Sequence, residues 1–105
     1  MIKPLEKLLA EGKDSALLRL SLGNAYANNG DPLKATEHLR KALSMEDENP
    51  AIWKALGKTL TALGELSEAQ VVYEKGIALA ERKGLVQAVK EMKVFLRRLQ
   101  KRSEK

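Results

Sequence analysis

The stretch Trp53-x-x-Leu56-Gly57-x-x-Leu60, then Gly64, then Ala69-x-x-x-Tyr73-x-x-Gly76 constrains this chain more than any other. Its apolar residues recur at helical spacing on both sides of Gly64, so it reads as helix, turn, helix. A glycine inside a helix costs about 1 kcal/mol against alanine. Gly57 is therefore expected where a neighbouring helix comes very close, backbone to backbone. Ala69 and Gly76 are the matching small residues of the second helix, with Trp53, Leu56, Leu60 and Tyr73 filling around them.

The pattern occurs twice. A shift of 34 residues lays Leu22 on Leu56, Gly23 on Gly57, Gly30 on Gly64, Ala35 on Ala69 and Lys41 on Lys75. Four of these five identities fall where packing or a turn demands them. The same shift sets Tyr26 against Leu60, Leu39 against Tyr73 and Ala42 against Gly76. Self-similarity at such a period marks stacked helical hairpins.

The remaining punctuation predicts about six helices. Pro4 to Glu11 reads as a short first helix, with Leu5, Leu8 and Leu9 on one side and Gly12 as its stop. Asp14 or Ser15 caps the second, which runs to about Asn29 with Leu18, Leu22, Ala25 and Tyr26 inward, and Gly30 closes it. Asp31-Pro32 and Asn49-Pro50 each join a capping side chain to a proline whose missing N–H is harmless at a helix start. They open the third helix, with Ala35, Leu39, Ala42 and Leu43 inward as far as Met45, and the fourth, which Gly64 ends. Ser67 is expected to cap the fifth, running to about Lys83, and Gly84 to stop it. A last helix spans Leu85 to about Lys101, and residues 102–105 are expected to fray.

On these residues the chain resembles the tetratricopeptide repeat family. Residues 16–49 and 50–83 match its repeat, with Arg19 standing where Trp53 supplies the usual tryptophan. The usual late proline is displaced to Pro50 in the first repeat and absent from the second. Residues 1–13, through Met1, Leu5 and Leu8, resemble the second half of a preceding repeat. Residues 85–101 resemble the helix that closes such arrays, followed by the tail 102–105. The resemblance implies an all-α, right-handed superhelical stack forming one domain over residues 1–105.

The last helix needs its own register. A strict 34-residue shift would put Glu91 at the glycine position and Lys90 on the inner face. Two extra residues near Arg82–Gly84 instead align Val89 with Trp53, Met92 with Leu56 and Leu96 with Leu60. Ala88, Phe95 and Leu99 then turn inward, while Lys90, Val94 and Arg97 lie on the opposite side. This second register is the one adopted.

Composition closes off several functions. Aromatics are 4% of the chain against 44% apolar residues, so the core is aliphatic and alanine-rich, which suits helices. Without cysteine there is no disulfide, thiol nucleophile or cysteine metal site. No apolar run is long enough to span a membrane. The start carries Glu6 and Glu11 and lacks the apolar segment of a signal peptide, so a cytoplasmic protein is expected. His38, the single histidine, has no partner for catalysis or metal binding and reads as a boundary residue. Glu46-Asp47-Glu48 lacks the alternating ligands and turn glycine of a calcium loop. The glycines are too dispersed for a phosphate loop, and Trp53 and Tyr73 occupy core positions. No enzymatic activity, metal or cofactor is expected.

What remains is binding. In the resembled family the first helix of each pair lines a concave surface that usually holds peptides. That implies Leu17, Leu20, Asn24, Ala27 and Asn28, then Ala51, Lys54, Lys58 and Thr61, then Lys90, Val94, Arg97 and Arg98. Lys54 and Lys58 are one turn apart and point the same way, as do Asn24 and Asn28, whose amides can bond a peptide backbone. The expected contact set is Asn24, Asn28, Lys54, Lys58, Lys90 and Arg97, with Leu20 and Val94 as apolar support. It would favour an extended or acidic protein segment, held by a scaffold or adaptor without chemistry of its own. The competing reading is that the lysines are ordinary solvated helix residues. The carboxylate clamp of chaperone-binding members would require Leu20, Asn24, Ala55, Gln87 and Glu91 to carry its Lys, Asn and Arg groups, and only Asn24 fits.

Two other classes remain. Residues 82–105 hold nine Lys/Arg against two Glu, while residues 1–81 hold ten against twelve acids. The basic last helix could contact an anion or nucleic acid, although scarce aromatics and a near-neutral remainder argue against nucleic acid. A polar cap for solubility is the simpler explanation. Self-association is the other rival, because two repeats are few for a stacked array; the chain is read as a monomer.

Overall fold

The computed structural model describes residues 2–104. They form α1 (Ile2–Ala10), α2 (Ala16–Asn28), α3 (Pro32–Met45), α4 (Pro50–Ala62), α5 (Leu66–Arg82) and α6 (Val86–Ser103), with no strand among the described residues. Three starts follow the capping rule. Ser15 accepts from the Leu18 N–H at 3.0 Å, Asp31 from Lys34 at 3.2 Å and Asn49 from Ala51 at 3.0 Å.

The start of α5 departs from expectation. Ser67 lies inside the helix, and Glu65 occupies the capping position without a side-chain cap bond. The turn is made by Gly64, whose φ of +80° lets the Glu65 N–H reach back to the Leu60 carbonyl at 2.9 Å. Gly30 does the same at φ +79°, returning the Asp31 N–H to the Tyr26 carbonyl. The next helix follows at once, so Ser67 arrives two residues too late to cap it.

The internal glycines work differently from expectation. A Cβ on Gly23 would lie 2.5 Å from Leu39 Cδ2, and one on Gly57 would lie 2.6 Å from Tyr73 Cε1. No second backbone nestles there. The missing Cβ instead makes a seat for a side chain from the following helix. Leu39 and Tyr73 fill those seats almost wholly out of solvent. Burial pushes the Tyr73 hydroxyl up to about 12, so it stays protonated. At Gly76 a Cβ would meet Met92 Sδ at 2.8 Å and Trp53 Cβ at 2.9 Å, which seats α6 on α5.

The helices form two layers. α2 packs on α4 and α4 on α6, whereas the backbones of α3 and α5 lie farther apart and are bridged by the Arg40 and Glu68 side chains. The stack therefore bends toward the layer of α2, α4 and α6. The main core joins Leu39, Leu56, Leu60, Tyr73, Met92 and Leu99, with Ala88, Val89, Phe95 and Leu96 packed on it, as the two-residue insertion requires. A smaller core of Leu18, Leu22, Tyr26 and Ala35 is covered by Ile2, Leu5 and Leu9 of α1. Leu8, expected on that inner side, is exposed, and Met1 lies outside the described residues. α6 continues past the expected fraying point, and Arg102 Nη1 donates to the Thr61 carbonyl at 3.2 Å. Lys105 lies outside the described residues.

Gly57→Ala sets a gain of about 1 kcal/mol in helix propensity against about 1–3 kcal/mol for overpacking a filled core. Tyr73 is too deeply buried to step aside, so strain wins. Urea unfolding should show a lower midpoint, with a net loss on the order of 1 kcal/mol.

Candidate functional site

Because α2 and α4 lie side by side in the inner layer, residues one turn apart on each face a shared hollow. Asn24, Ala27 and Asn28 of α2 meet Ala51, Lys54, Ala55, Lys58, Thr59 and Ala62 of α4 around about 650 Å³, with Gly30 and Pro32 at its end. Alanines make the floor and the amides and ammonium groups make the walls. A backbone lying along such a floor could bond the asparagine amides while an acidic side chain met a lysine.

α6 holds both lysines. Lys54 Nζ is 3.2 Å from Glu91 Oε1, and Lys58 Nζ lies 5.5 Å from the centre of the Phe95 ring. Both Glu91 and Phe95 are on the side of α6 that faces α4, one turn apart. Lys54 and Ala51 also border a second hollow of about 430 Å³, with Asn49, Pro50, Gln87 and Ala88 on its walls. The concave side is thus continuous from α2 across α4 to the start of α6.

The structure brings together Asn24, Asn28, Lys54 and Lys58, but the other expected contact residues lie elsewhere. Leu20 packs half-buried against the main core and takes no part in the hollow. Lys90 lines a further hollow of about 390 Å³ on the other flank of α6, with Ala80, Glu81, Val89 and Lys93, which meets the second hollow at Gly84, Leu85 and Val86. One residue of helix is a turn of about 100°, which is enough to separate Lys90 from Glu91. Arg97 is seven residues on and shares the side of Lys90. Val94 is 40% exposed on the strip between the two flanks. Glu91, Gln87 and Phe95, none of them in the expected contact set, are the groove neighbours that α6 supplies. Their i, i+4 spacings, 87 to 91 and 91 to 95, were a visible signal for one shared face.

A second polar cluster sits on the outer side, where Arg19 takes the place of the tryptophan seen at Trp53. Its guanidinium forks to Asp14 at 2.8 and 2.9 Å, and Nη1 lies 3.1 Å from His38 Nδ1. Arginine can only donate, so Nδ1 accepts and the His38 ring proton sits on Nε2. The ring stacks on Tyr26 at 5.4 Å, and the Tyr26 hydroxyl donates to Glu6 at 2.7 Å, tying α1, α2 and α3 together. The arginine holds the Asp14 carboxyl below its ordinary value, while burial and then Arg19 hold His38 below its own. Among the described residues no group of three or more His, Cys, Asp or Glu could hold a metal ion. No helix there is long and apolar enough to cross a membrane.

Comparison with known proteins agrees with this architecture. A family model described as tetratricopeptide repeat matches residues 28–92. The chain is 48% identical over 99 residues to "TPR repeat-containing protein PA0015" of Pseudomonas aeruginosa, spanning 94% of each chain. It is 42% identical to protein BPP2914 from Bordetella parapertussis, whose solution structure superposes with a TM-score of 0.86 over 97% of this chain and 89% of that one.

His38 affects stability rather than the groove. A lowered folded value means that the unfolded chain binds the proton more readily, so stability is lost as pH falls below about 6.5, the ordinary histidine value. Thermal melts between neutral and mildly acidic pH should show the midpoint falling, and His38→Gln should flatten that part of the profile.

Proposed function

This chain belongs to the tetratricopeptide repeat family, whose repeats generally mediate contacts between proteins, and from that premise we propose a non-enzymatic binding scaffold. Its ligand is an extended, acidic segment of another protein, held in the hollow between α2 and α4. The observation that carries this is the convergence of Asn24, Asn28, Lys54 and Lys58 on one alanine-floored hollow of about 650 Å³. We read residues 16–49 and 50–83 as its two repeats, 1–13 as a half-repeat and 85–101 as the closing helix. The same proposal makes it a monomeric adaptor acting in the cytoplasm.

The chemistry of the walls supports an acidic ligand. Each lysine is held by α6 through a weak contact. An ion pair as exposed as Lys54–Glu91 is worth about 0.2–1 kcal/mol, and a lysine over a ring is worth about 0.5–1 kcal/mol at an exposed site. A ligand carboxylate can displace Glu91 at little cost, so Lys54 is pre-aimed and still available. Glu91 in turn discourages ligands without acid groups, which have nothing to offer Lys54 in exchange.

Lys54→Glu combined with Lys58→Glu should abolish partner capture in a pull-down from the protein's own cells, with helical content kept and stability lowered by only about 1–2 kcal/mol through the lost contacts to α6. Capture that survives the pair removes the groove from consideration. Glu91→Gln should act in the opposite direction. Once the captured segment is in hand, isothermal titration should show it binding up to about fivefold tighter to that variant.

A further inference from the structure

α2 and α4 are each covered by the helix that follows, on the flank that holds Gly23 or Gly57. The register set by Met92 puts Lys93 at that place in α6, and no helix covers this flank among the described residues. Val86, Lys90, Lys93 and Arg97 follow one another there at i, i+4, i+7 and i+11, one unbroken helical face. Lys90 and Arg97 have no acidic partner among the described residues, and Lys93 reaches only Glu81 at 3.7 Å.

At the upper end of this face lies the hollow of about 390 Å³ whose apolar wall is Ala80, Leu85, Val86 and Val89. Leu85 stands where Ser15, Asp31 and Asn49 stand in α2, α3 and α4, and it makes no capping bond. Leu85 is 43% exposed and Val86 62% exposed. A polar residue at either place would improve solubility, and one at the first would also satisfy a helix N–H. An apolar socket with a stripe of cations running away from it, of which only Lys93 has an acidic neighbour, is a poor solubilising cap and a good receptor.

We propose that this flank of α6 docks an acidic amphipathic helix of a partner protein, set where the second helix of a third hairpin would lie. One apolar side chain enters the socket, and acidic residues one and two turns further on meet Lys90, Lys93 and Arg97. Lys93 in place of a glycine keeps the incoming helix farther out than α3 or α5, at a distance bridged by charged side chains. Charge separates this occupant from a second copy of the chain. The free helix a copy could offer is α1, whose Lys3 and Lys7 outnumber Glu6. Nucleic acid would gain nothing from the apolar wall of Leu85 and Val86.

The probe is a labelled synthetic helix with a leucine stripe flanked by glutamates, beside a twin with glutamine in place of glutamate. Fluorescence anisotropy at low salt should show the acidic probe binding at least about tenfold tighter than its twin. Lys90→Glu with Arg97→Glu should remove that preference, and Val86→Ser should weaken the acidic probe a few-fold, with circular dichroism unchanged in both. Equal binding of the twins, no binding at all, or indifference to both variants overturns the proposal. Stronger binding of a DNA duplex than of the acidic probe overturns it as well.

Discussion

The absent side chains at Gly23 and Gly57 are what the rest of the molecule depends on. Each leaves a seat that a large residue of the next helix fills from the side, Leu39 in one hairpin and Tyr73 in the other. A buried side chain in a matched seat fixes both the rotation and the height of one helix against its neighbour. The two seats are 34 residues apart, so both hairpins have the same geometry and their first helices lie side by side. That adjacency creates the hollow between α2 and α4. Asn24, Asn28, Lys54 and Lys58 meet because glycines in the same helices hold those helices at a common rotation.

Polar contacts then trim the arrangement with little effect on its stability. Arg40 and Glu68 form a two-pronged pair at 2.6 and 2.9 Å between α3 and α5, which holds the Glu68 carboxyl below its ordinary value. The pair is half-exposed, and such pairs contribute at most about 1 kcal/mol. The indole N–H of Trp53 donates to the Asp47 carbonyl at 2.9 Å, so the acidic turn before α4 is tied down by the helix it introduces. Glu48 of the same turn faces Arg82 and Lys83. Glu48 thus joins this turn to the one that follows α5.

Much of this was legible in the sequence, because glycine, proline and capping residues act locally. Gly30, Gly64, Asp31-Pro32 and Asn49-Pro50 punctuate the chain by backbone chemistry that no distant contact overrides. What a single chain conceals is rotation. That Gly23 and Gly57 mark close approaches is legible, but whether backbone or side chain fills the space depends on how near two helices come, and here Tyr73 and Leu39 keep the backbones apart. The choice between Glu91 and Lys90 for the concave side depends on about 100° of helix. Leu20 and Leu8 exchanged the expected inner and outer roles by similar amounts. Ser67 failed as a cap because the glycine turn before it ends too soon. Asn24, Asn28, Lys54 and Lys58 were found together because i, i+4 spacing survives a modest error in rotation.

A double-mutant cycle at the second seat tests the central claim most directly. Unfolding free energies would be compared for the parent, Gly57→Ala, Tyr73→Leu and the double variant. If the glycine exists to receive the ring, most of the cost of adding a methyl group disappears once the ring is gone, and the coupling should exceed about 0.5 kcal/mol. Strictly additive losses would mean that Gly57 and Tyr73 do not share a seat, and the hairpin geometry that positions the groove would need another cause.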